Sequence, residues 1–97
     1  MITFAEGALT DLEQIFDFAA QLDPEHAERQ LGIIHRVIRV LDENPLIGRP
    51  IAGSSLRELV ISSGKTGFIA LYNADHLREQ IRVVAIRRLR EAGYREG

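Results

Sequence analysis

Ninety-seven residues, 45% of them apolar, are enough for one small core and predict a single domain spanning 1–97. Cysteine is absent, which excludes disulfides and thiolate metal sites, and no apolar run approaches the roughly 20 residues of a membrane span. The formal charge of −2 hides an asymmetry: residues 1–47 carry nine acids and three bases, residues 48–97 five acids and nine bases. Such a split describes either two faces with different partners or two faces that neutralise each other. The N-terminus lacks the basic-apolar-small pattern of a secretory signal, so a cytoplasmic protein is expected.

Met1-Ile2-Thr3-Phe4 is short and β-prone and reads as an edge strand. Leu9, Leu12, Phe16 and Ala19 then recur at helical spacing, widened by Ile15 and Leu22, with Asp11, Glu13, Asp17 and Gln21 on the other side. Thr10-x-x-Glu13 fits a capping box, whereas the acids Glu6 and Asp11 equally place the start earlier. Asp23-Pro24-Glu25 opens a second helix: Asp23 caps, Pro24 suits the first position, and Glu25 favours the positive end of the helix dipole. This helix is predicted to reach about Glu43. Its stripe is Ala27, Leu31, Ile34, Ile38 and Leu41, flanked by Ile33, Val37 and Val40, wide enough to pack on a helix and a sheet at once. Gly32 inside it costs about 1 kcal/mol relative to alanine unless close packing needs it. With almost no linker, the two helices should form an antiparallel hairpin.

Asn44-Pro45 ends the second helix, and Leu46–Ser55 reads as an irregular connection. Three strands follow: Leu56–Ser62, Gly67–Asn73 and Gln80–Ile86. They are joined by the turn Ser63-Gly64-Lys65 and the polar loop Asn73–Glu79 into an antiparallel meander. Phe68, Ala70 and Tyr72 share one face of the middle strand and belong to the core. The order β-α-α-β-β-β predicts an α+β domain with an N-terminal helical hairpin packed on a small antiparallel sheet.

The chemistry concentrates at the C-terminal end, where the last strand is expected to break into Arg87-Arg88-Leu89-Arg90 and close on Ala92-Gly93-Tyr94. Arg82, Arg87, Arg88 and Arg90 lie within nine residues, and Arg57, Lys65 and Arg95 add to the same half. Guanidinium forks suit phosphates and carboxylates. If Arg88, Arg90 and Tyr94 converge, they grip a nucleic-acid backbone and stack a base, or they stabilise charge as a 2′-hydroxyl attacks its own phosphodiester. The plain alternative is a solvated or salt-bridged strand end, with Arg87 pairing Glu91. His26 and His35 are nine apart on the second helix, unlike the four-residue spacing of a zinc helix, and His76 lies in a loop, so all three read as structural or surface residues. No Ser-His-Asp arrangement, phosphate-binding glycine loop or metal-ligand cluster is visible, and no cofactor or metal is expected.

Four segments together resemble the RelE/ParE toxin superfamily on its ParE-like (plasmid stabilisation) branch: Ala8-Leu9-x-Asp11-Leu12-x-x-Ile15, Asn44-Pro45-x-x-Gly48-Arg49-Pro50, Arg57-Glu58-Leu59-Val60-Ile61 and Ala85-Ile86-Arg87-x-x-Arg90-Glu91-Ala92-Gly93-Tyr94. The resemblance implies the toxin of a type II toxin–antitoxin pair, wrapped by a cognate ParD-like antitoxin in a hetero-oligomer. It implies inhibition of DNA gyrase for a ParE-type chain and cleavage of messenger RNA in the ribosome for a RelE-type one. Arg57, Arg88, Arg90 and Tyr94 occupy places similar to those of a RelE-type catalytic set. Lys65 and Thr66 stand where that set has an arginine, and Leu59 where it has a second basic strand residue. Half a set is a poor nuclease, because intramolecular cleavage needs both charge stabilisation and proton transfer. A non-enzymatic, gyrase-directed toxin is therefore favoured over an mRNA endoribonuclease, with a toxin of another target, a decayed copy and a non-toxic interaction module as further readings. Arg49, Arg57, Arg87, Arg88, Arg90 and Tyr94 are the candidates for contact with the target or with antitoxin carboxylates. An exposed apolar groove between hairpin and sheet is expected to take the antitoxin.

Overall fold

The first strand, β1 (Ile2–Phe4), takes the edge position expected of it. The computed structural model describes residues 1–63, 66–75 and 77–89. At the end of β1 the Ala5 N–H donates to the Val83 carbonyl at 2.8 Å, and the Ala5 carbonyl accepts from Leu9. This corner fixes the start of α1 (Glu6–Leu22), so the earlier of the two starts holds and Thr10 and Glu13 lie inside the helix. The buried stripe is Ala8, Leu12, Ile15 and Ala19, whereas Leu9 and Leu22 are exposed and Phe16 is half-buried. The packed face is therefore rotated from the expected stripe towards the small side chains. The alanines lie on the face that packs.

Asp23 alone separates α1 from α2 (Pro24–Arg39). Its backbone N–H donates to Ala19, closing one helix, and its Oδ1 accepts from the Glu25 N–H at 3.1 Å, opening the next. The helical backbone tightens into a 3₁₀ turn over Val40–Asp42, which buries Leu41. Ala27, Ile34 and Ile38 are buried as expected, and Val40 is exposed. Gly32 is exposed, and a Cβ there would meet nothing within 4 Å, so close packing does not require it.

The remaining strands are β2 (Arg49–Pro50), β3 (Arg57–Ser63), β4 (Thr66–Asp75) and β5 (Gln80–Arg88), and the sheet order is β1-β5-β4-β3-β2. The meander β3-β4-β5 is antiparallel as predicted, but β1 joins β5 in parallel, so the sheet is mixed. The helical hairpin supplies the crossover that a parallel neighbour requires. α1 lies against β5 and α2 against β3, covering one face. The connection after α2, expected to be irregular, contributes the two-residue β2. β4 runs on to Asp75, whose Oδ1 accepts from the N–H groups of Leu77 and Arg78, with Glu79 at φ 51 completing the turn. That tight turn, in place of the predicted seven-residue loop, lets pairing continue to Asp75 opposite Gln80.

The break expected after Ile86 is absent: Arg87 and Arg88 are strand residues paired with Ile69 and Phe68. Pairing depends on backbone groups, and β4 continues alongside, so charge does not end the strand. A bulge does alter it. Leu71 opposes Ala85 and Tyr72 opposes Val83, leaving Val84 without an opposite number. Before the bulge Ile81 and Val83 face the core; after it Ile86 does. Arg88, two residues beyond, therefore joins the core face beside Phe68, and Arg87 leaves from the other. Phe68, Ala70 and Tyr72 are fully buried, as expected. His35 meets the Phe4 ring edge-on at 6.2 Å, both His35 and His26 are exposed, and His76 lies outside the described residues. No described helix is long and apolar enough to cross a membrane.

Candidate functional site

The predicted site arginines separate into two groups. The first holds a loop. Tyr72 is wholly buried, yet its hydroxyl is saturated, donating to the Pro45 carbonyl and accepting from the Gly48 N–H, both at 2.8 Å. Arg57 lies opposite Tyr72 in register, and its Nη1 donates to the carbonyls of Gly48 (2.8 Å) and Leu46 (3.2 Å). Arg49 faces Glu58 across β2 and β3; its Nε donates to Glu58 Oε1 at 2.7 Å and its Nη2 donates to the same oxygen. Glu58 is only 11% exposed at its side chain. The motif Asn44-Pro45-x-x-Gly48-Arg49-Pro50 is thus a clasp between the post-helical loop and the sheet. Tyr72→Phe, which keeps the ring, is expected to lower stability by about 1–2 kcal/mol by stranding the buried Gly48 N–H. A urea midpoint that falls at unchanged slope would register it.

The second group lines an open cleft of about 290 Å³ between α1 and the outer margin of β5. Asp11 on α1 accepts the Ile86 N–H at 3.0 Å through Oδ2, capping the strand edge beyond the short β1. Its Oδ1 lies 3.7 Å from Arg87 Nη1, so Arg87 returns around the edge towards the helix. Arg88 makes cation–π contacts with two aromatic rings, with its Cζ 4.9 Å from the Phe18 centroid and 5.6 Å from that of Phe68. Gln14 completes the helical wall. Arg82 also leaves from the face away from the core, but it stands further back along β5, in register with Thr3 and Asn73 and away from the cleft, so the four arginines read as one cluster are not one. Arg90 and Tyr94, like Lys65, Glu91 and Arg95, lie outside the described residues. Arg87 pairs with Asp11. Among the described residues no group of three or more His, Asp or Glu is placed to hold a metal.

Three residues of these arrangements were not visible as such in the sequence. Asp11 reads there as a solvated acid, Phe18 has no assigned place, and Tyr72 reads as packing alone. The separation of seven between Asp11 and Phe18 puts both on one side of α1, a signal that would have paired them. For Tyr72 the signal is a lone hydroxyl in an apolar strand, which must find a partner when buried.

A family profile described as the ParE toxin of the type II toxin–antitoxin system, parDE, matches residues 2–93. The chain belongs to this family. The fold of this ParE-family toxin is similar to that of a chain from the chromosomal ParDE system of P. aeruginosa, with TM-score 0.74 and 24% identity over 90% of this chain and 92% of that one. It is also similar to a chain of the intact E. coli RelBE toxin–antitoxin complex, with TM-score 0.58 and 13% identity over 100% of this chain and 98% of that one. At these identities the likeness is one of fold. No curated protein matches the ParE-family chain.

Proposed function

We propose that this ParE-family toxin inhibits DNA gyrase in the cytoplasm, and that a cognate ParD-like antitoxin neutralises it within a hetero-oligomer. The observation that carries a binding toxin over a nuclease is the placement of Arg57. Its Nη1 is engaged with the carbonyls of Leu46 and Gly48, so the strand arginine that RelE-type cleavage draws on serves the loop clasp. Leu59, where that chemistry needs a second basic group, packs half-buried against the core. Proton transfer and charge stabilisation must both be positioned for a 2′-hydroxyl attack, and these two positions are given to structure. Contact with target or antitoxin falls to Arg87 and Arg88, together with Arg90 and Tyr94 from outside the described residues.

The test titrates the purified toxin into gyrase with relaxed plasmid. Supercoiling is expected to fall and cleaved plasmid to accumulate, and added antitoxin is expected to restore supercoiling. A normal supercoiling time course at saturating toxin would remove gyrase as the target. Cut message on programmed ribosomes, reduced by Arg88→Ala, would put the endoribonuclease in its place.

A further inference from the structure

β3 runs from Arg57 to Ser63, but β2 covers its outer edge only at Arg57 and Glu58. The register determines which backbone groups the rest of that edge presents. The Gly67 carbonyl accepts the Leu89 N–H at 3.1 Å, so Gly67 turns its backbone to the β5 side and away from β3. Ser62, opposite Gly67 in an antiparallel pair, then turns its own N–H and C=O outward, and Val60 does the same two residues earlier. The Leu56 carbonyl, of the same parity, accepts the Ile51 N–H on that side and fixes the direction independently. No described residue bonds to the outward groups of Val60 and Ser62. The helix beside this edge is apolar on the same flank. α2 packs against β3. His35 looks towards β1, where it meets Phe4, and Ile33 and Val37 lie half-buried on the opposite flank of the helix, with Val40 one turn on and 42% exposed. The loop that follows adds the exposed Leu46 and Ile47, and Val60 is 49% exposed on the sheet face away from the helices. A bare strand edge and an apolar helix flank thus lie along one margin. Monomeric domains blunt such edges with charge or proline, and Leu59–Ser62 carries neither.

We propose that two copies of the chain meet at this margin, by antiparallel pairing of β3 with β3 about a two-fold axis through Ile61. The axis sets Val60 of each copy opposite Ser62 of the other. Each of these pairs exchanges two N–H···O=C bonds, so every outward group of Val60 and Ser62 finds a partner. The two α2 helices come to lie on the same face of the joined sheet, where Ile33, Val37 and Val40 of one copy approach those of the other. Shape and charge select this occupant. A lone extended peptide would cover the edge and leave the helix flank open, whereas a second copy brings a strand and a flank together. Arg49 beside the edge is neutralised by Glu58, and Leu59–Ser62 carries no charge, so the copies meet without the repulsion that Arg87 and Arg88 would cause at the other margin. Dimerisation here is independent of the target that the toxin meets.

The experiment is light scattering on the purified full chain over a concentration series, with amide hydrogen exchange measured at both ends of the series. The mass is expected to rise from monomer to dimer. Protection of the Val60 and Ser62 amides should rise with it, while the Ile61 amide, which points to β4, is protected throughout. Ser62→Pro removes an N–H that the monomer does not use, and Val40→Lys places a charge from each copy in the apolar joint. Each should weaken dimerisation about tenfold or more while leaving the melting point of dilute protein in place. A chain that stays monomeric at every concentration, a dimer indifferent to both variants, or Val60 and Ser62 amides equally protected at both ends of the series would each overturn the proposal. Protection that appears only when an antitoxin is added would assign the edge to that partner and overturn it as well.

Discussion

Gly48→Ala is expected to lower the stability of the domain by about 3 kcal/mol, the upper end of what one inserted methyl does in a packed site. The residue is buried, and a Cβ built on it would stand 2.6 Å from both Cε1 and the hydroxyl of Tyr72 and 2.9 Å from the Glu58 carbonyl. Tyr72 cannot swing aside, because it is wholly buried and its hydroxyl is tied to Pro45 and Gly48. Nor can Glu58 yield its carbonyl, since it is paired with Leu71 on one side and Arg49 on the other. The methyl would have to lift the loop, breaking the Tyr72 bond to Gly48 and the two Arg57 bonds together. For a domain of about 100 residues each kcal/mol moves the melting point by roughly 4–8 °C, so the expected fall exceeds about 10 °C. The double change Gly48→Ala with Tyr72→Phe should cost less than the sum of the single ones, because both act on the same bond. Strict additivity, or a single change that leaves the melting point in place, would mean that the loop is not clasped in this way.

That clasp shows why the fold was largely legible in the sequence and the site was not. Helices and meander follow from short-range patterns: Asp23-Pro24-Glu25 marks a helix start, and apolar periodicity marks which faces pack. The relation of Tyr72 to Pro45 and Gly48, 27 and 24 positions away, depends on the register of three strands, which no local pattern reports. Arg49 and Arg57 accordingly read in one dimension as candidates for contact with a target or an antitoxin, and their engagement with the loop and sheet is visible only in the fold. The bulge at Val84 had the same effect on the other pair. Alternation counted from Ile81 puts Arg87 on the core face, and one extra residue gives that place to Arg88. A shift of a single position thus decided which guanidinium meets Phe18. The motif segments were recognisable, but for two of them the role is structural: Asp11 within Ala8–Ile15 caps an edge, and Gly48 within Asn44–Pro50 admits a tyrosine.

Asp11→Ala is expected to cost about 2 kcal/mol, and Asp11→Asn well under half of that. The Ile86 N–H points to the outer edge of β5, beyond the reach of β1, which ends opposite Val83. Without an acceptor from α1, this amide of a buried residue would go unsatisfied, and bonds to a charged acceptor are worth about 1.5–3 kcal/mol. Asparagine retains an oxygen for the amide and loses only the pairing with a half-exposed Arg87, which contributes less than about 1 kcal/mol. Hydrogen exchange at Ile86 checks the assignment directly: protection should drop in Asp11→Ala and persist in Asp11→Asn. Equal losses in both variants would make the charge the essential feature, with the edge amide satisfied by water. If the two variants separate as expected, Asp11 is a structural cap for the strand edge and a replaceable counter-ion for Arg87.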